Sequence, residues 1–89
     1  MTGFLGGSAW AMAKDIAEGH VLVTERVIRR LSRGELDQLT HEVDRKLREL
    51  RGDSPDLDDN QALQLRNRRI LRLRNALAIV HSLRSRPRA

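Results

Sequence analysis

Two apolar stripes of helical period, separated by a single strong breaker, constrain this 89-residue chain more than anything else in it. Leu36, Leu39, Val43, Leu47 and Leu50 recur every three or four residues. That spacing puts their side chains on one face of an α-helix. Arg51 and Gly52 then supply a cation and a glycine suited to a helix C-terminus. The run Gly52-Asp53-Ser54-Pro55-Asp56-Leu57-Asp58-Asp59 cannot continue a helix. Beyond it, Leu63, Ile70, Leu73, Leu77 and Val80 take heptad a and d positions, with Arg66 in the missing slot. Leu65, Ala76, Ile79 and Leu83 form a second stripe beside the first. A connection of this length joins antiparallel neighbours. The expected fold is therefore all-α, built on an antiparallel two-helix hairpin. The aspartates before its second arm are read as helix-starting charges that face the positive end of the dipole.

The region before the hairpin is less regular. Residues 1–7, with Gly3, Gly6 and Gly7, read as a flexible lead. Ser8 is an N-cap candidate, and Ala9, Met12, Ala13, Ile16, Val23, Val27 and Leu31 follow at helical spacing. One N-terminal helix is expected, interrupted near Gly19-His20. Ser32 and Glu35 have the spacing of a capping box and mark the start of the next helix. The organisation is a lead (1–7), one helical domain (8–85) and a basic tail (86–89).

The chain is too short for a large core, has no cysteine, and has only Phe4 and Trp10 as aromatic residues. Small aliphatic cores are often completed by association with a further chain. In Ala76-Leu77-Ala78-Ile79-Val80 apolar residues point nearly all round the helix. One hairpin is too thin to cover such a segment, so a homo-oligomeric bundle is expected. Ile70, Leu73, Leu77 and Val80 are the candidate interface residues.

Charge is divided along the chain. Asp59 is the last acid, and the residues after it hold eight arginines and no lysine. The net charge is +5, with fifteen arginines to two lysines. Arginine makes planar, bidentate contacts to carboxylate and phosphate. Arg68, Arg69 and Arg72 fall within about 100° of one another around an ideal helix. With Arg84, Arg86 and Arg88 they are candidates for contact with nucleic acid or an acidic partner. The competing reading has Glu35, Glu42 and Glu49 of the first hairpin arm neutralising the arginines of the second. Single-strand binders add aromatic stacking platforms, and this stripe has none.

Other chemistry finds little support. His20, His41 and His81 lack partners at metal-ligand spacing, and Pro55 and Leu57 occupy alternate slots that a calcium loop would need. No cofactor, metal or catalytic constellation is expected. No apolar run is long enough to span a membrane, so residence in the cytoplasm is the expectation. Trp10 serves either to anchor the first helix on the hairpin or as an anchor for a protein partner.

Three functions remain. The first is a helical interaction or regulatory module without catalysis. The second is a nucleic-acid binder. The third is a small enzyme with Arg66 and Arg74 around an anionic substrate. An exposed apolar patch favours the first, an unpaired and continuous arginine stripe the second, and arginines converging in a cavity the third.

Overall fold

The computed structural model describes residues 4–5, 7–52 and 58–85. The described residues form four helices and no strand: α1 (Ala9–Glu18), α2 (Glu25–Arg29), α3 (Arg33–Gly52) and α4 (Asn60–Ser85).

Each boundary has a local cause. Ser8 is extended and its hydroxyl accepts from the amide of Ala11 at 3.1 Å. α1 ends at Gly19, whose φ of +80° is a left-handed conformation open to glycine at little cost. The amide of Gly19 donates to the Ile16 carbonyl, and that of His20 to the Asp15 carbonyl. Both orphan carbonyls are thereby satisfied. The sequence reading allowed one interrupted helix here. The structure instead makes two, because Gly19 turns the chain and Leu22–Thr24 is not helical. Thr24 then caps the short α2 through the amide of Val27.

The Ser32–Glu35 capping box is complete. The Glu35 amide donates to Ser32 Oγ at 3.2 Å, and the Ser32 amide donates to Glu35 Oε1 at 2.9 Å. Asp59 caps α4 by accepting from the Ala62 amide at 3.0 Å. Asp53 and Asp56 lie outside the described residues, as do the tail residues Arg86 and Arg88.

α1 packs on both α3 and α4, and α2 packs on α4. The core joins Met12, Ile16, Ile28, Leu39, Val43, Leu73 and Val80, each buried to 2% exposure or less. Burying one such side chain contributes roughly 1.5–3 kcal/mol. Phe4 and Leu5, from the N-terminal lead, pack half-buried against this cluster. No charged residue is fully buried among those described.

Contacts at both ends relate α3 to α4. Arg66, early in α4, reaches the carbonyl of Leu50 at the end of α3. Arg84, late in α4, meets Asp37 at the start of α3, with Nη2 2.7 Å from Oδ1.

Candidate interaction surface

The arginines of α4 divide according to which way the helix turns them. Arg66 donates from Nε to the Leu50 carbonyl at 2.8 Å and from Nη2 to the Arg51 carbonyl at 3.5 Å. Arg72 donates from Nη1 to the Ala17 carbonyl at 3.0 Å. Arg69 pairs with Glu18 at 3.4 Å. Two α4 arginines thus cap the C-terminal ends of other helices, where unsatisfied carbonyls and the negative end of the dipole favour a cation. A third binds the last residue of α1.

For Glu42 and Glu49 the pairing differs from the one expected with these arginines. Glu42 and Glu49 pair instead with Arg45 and Lys46, one helical turn away on α3 itself. Glu35 serves the capping box. Asp37 is an α3 acid that does reach an α4 arginine, pairing with Arg84. Of the sequence candidates for contact with an anion, Arg68 is exposed and makes no ion pair with a described residue. Arg69, Arg72 and Arg84 are held within the chain. The stripe is therefore interrupted.

The candidate oligomer residues also divide. Leu73 and Val80 are spent in the chain's own core, at 0% and 2% exposure. Ile70 and Leu77 are half-buried at its edge. Trp10 is not used to anchor α1: it is 57% exposed, with the Lys14 ammonium 5.6 Å from its ring centroid. Leu22, Leu65 and Leu71 are also large and exposed.

Among the described residues, hollows lie on both flanks of α4. The smaller is mostly apolar, though Arg72 and Asn75 also line it, and lies against α1 and the segment after it, where Val21, Leu22 and Val23 face Ala76 and Ile79. The larger is an open trough of about 640 Å³ between α3 and α4. Its α3 wall is Asp44, Leu47, Arg48 and Arg51. Its α4 wall is Arg74, Leu77, Ala78 and His81. Each wall has the i, i+3, i+4, i+7 spacing of one helix face. The trough lies on the flank of α4 turned away from α1, since Arg72 and Arg74 are about 200° apart around the helix. Arg74 converges there with Arg48 and Arg51, whereas Arg66 is committed to the end of α3. Sequence patterning did not reveal the trough, because it depends on how α3 and α4 are placed against each other.

Among the described residues no group of acidic, histidine or cysteine side chains has the makings of a metal site, and no helix is long and apolar enough to cross a membrane. No protein-family model, curated protein or solved structure matches this chain.

Proposed function

We propose that this chain is a non-catalytic helical interaction module that works as a homo-oligomer. In this reading α3 and α4 are the arms of an antiparallel hairpin, α1 and α2 cover one side, and a second copy completes the bundle. The observation that carries it is the apolar surface left partly open on both flanks of α4. Leu77 and Ala78 lie in the trough, Ile79 and Leu22 in the opposite hollow, and Leu22 is 83% exposed. Apolar side chains grouped around a helix in this way mark an interaction surface, whereas scattered single ones do not.

The nucleic-acid reading has less behind it. Arg66, Arg69, Arg72 and Arg84 are already engaged with the chain's own carbonyls and carboxylates. Phosphate binding would have to break those contacts or rely on Arg68 and the tail. An enzyme needs a site that excludes water around its reacting groups. The trough is open, and Arg48, Arg51 and Arg74 in it are exposed.

Sedimentation equilibrium over a micromolar range, run beside an RNA shift assay at two salt concentrations, tests this. The expected mass is at least twice the 10.2 kDa of one chain, with weak RNA binding that salt abolishes. A 10.2 kDa species at every concentration, shifting RNA strongly, would overturn the proposal.

A further inference from the structure

We infer that the α3–α4 trough is the seat of a second copy of this chain, with α3 of each copy lying against α3 of the other in opposite directions. This rests on the proposed self-association and specifies where it occurs.

The first observation is a contrast between the two flanks of α3. On the flank away from the trough the charges satisfy one another: Arg45 pairs with Glu42 and Glu49, and Lys46 with Glu49. On the trough flank Asp44, Arg48 and Arg51 form no ion pair with a described residue. Asp44 and Arg48 are one turn apart, a spacing at which such pairs commonly close. The facing Arg74 is unpaired among the described residues as well. Asp44 and Arg51 thus lack counter-charges among the described residues, and a second copy of the same wall carries an answer to each.

The second observation is the order of those charges. Asp44 and Arg51 sit two turns apart with Leu47 and Arg48 between them. Read backwards, the wall presents the opposite charge at each end. A two-fold axis passing between residues 47 and 48 therefore sets Asp44 of each copy against Arg51 of the other, twice over. A parallel arrangement would set Asp44 against Asp44 and Arg51 against Arg51. Two-fold symmetry is also the commonest form of association between identical chains. The apolar part of the seat comes from the other wall, where half-buried Leu77 and exposed Ala78 have no described apolar residue above them. Phosphate backbone would gain nothing from that apolar strip, which favours a protein occupant.

The test is charge reversal followed by rescue, read by sedimentation equilibrium of the full chain. Asp44→Arg and Arg51→Asp are exposed positions, and circular dichroism of each variant checks that helicity is kept. Each single change is expected to weaken the dimer at least tenfold, because it places like charges together at both ends of the seat. The double variant, Asp44→Arg with Arg51→Asp, is expected to return to within about threefold of the parent. Association that neither single change weakens would leave self-association standing but remove it from the trough. Single losses without rescue would overturn the antiparallel pairing. A parent chain that stays monomeric would overturn both the self-association and its seat. If that monomer also shifted a single-stranded RNA, and Arg51→Asp abolished the shift, the trough would belong to phosphate.

Discussion

Gly19→Ala tests the contact that best explains where the α4 arginines go. Gly19 has φ +80°, and an added Cβ would lie 2.8 Å from the guanidinium carbon of Arg72. Two costs follow. A left-handed conformation costs a non-glycine residue roughly 1–2 kcal/mol. The Arg72 head must also swing aside, which breaks its 3.0 Å hydrogen bond to the Ala17 carbonyl. A charge-assisted bond of this kind contributes about 1.5–3 kcal/mol, with the lower end fitting a half-exposed site. The expected total is about 2.5–3.5 kcal/mol, and at about 4–8 °C per kcal/mol for a domain this size the melting point falls by roughly 10–28 °C. With Arg72→Met as background the second cost has already been incurred. Gly19→Ala should then cost only about 1–2 kcal/mol. A double-mutant cycle by urea denaturation reads the difference as a coupling of about 1–2 kcal/mol. Equal costs in the two backgrounds would show that Arg72 does not cap α1 in solution.

Leu73→Ala, at a fully buried position, should lose about 2–5 kcal/mol by chemical denaturation. Gln64→Ala, on exposed surface outside both hollows, should stay within about 0.5 kcal/mol. If the two were alike, the buried face of α4 would be wrongly assigned. Arg66→Gln removes the cap on the end of α3 and should cost about 1 kcal/mol, whereas Arg68→Gln should be neutral. The reverse order in thermal melts would put the structural arginine on the wrong side of α4.

Much of the local structure was legible in the sequence because its causes are local. Ser8, the Ser32–Glu35 pair and Asp59 start helices through side chains three residues or fewer from the amides they accept. Gly19 ends α1 through its own backbone freedom. Leu39, Val43, Leu47 and Leu50 of α3 are buried because one stripe of helical spacing faces one core. The destinations of the arginines were not legible in the same way. A cation suits a carboxylate and a helix C-terminus alike, and spacing along α4 does not say which will be near. Arg66 and Arg72 found backbone carbonyls because α3 and α1 end beside them. Of the α3 glutamates that looked like their partners, Glu42 and Glu49 had nearer cations one turn away, and Glu35 closes the capping box. Nor did spacing separate Leu73 from Leu77. Both fit the stripe, and only the placement of α1 and α3 decides that one is enclosed and the other borders the trough.

The chain has no cysteine, so a single introduced thiol reports on one position alone. Arg48→Cys places a thiol in the trough beside the proposed two-fold axis, and Lys46→Cys, about 160° away around α3, places one on the opposite flank. A disulfide forms only where the two Cα atoms come within about 7 Å. Under mild oxidation at micromolar concentration, the Arg48→Cys variant is predicted to form a covalent dimer and the Lys46→Cys variant to remain a single chain. Equal cross-linking of both, or of neither, would contradict association through this trough.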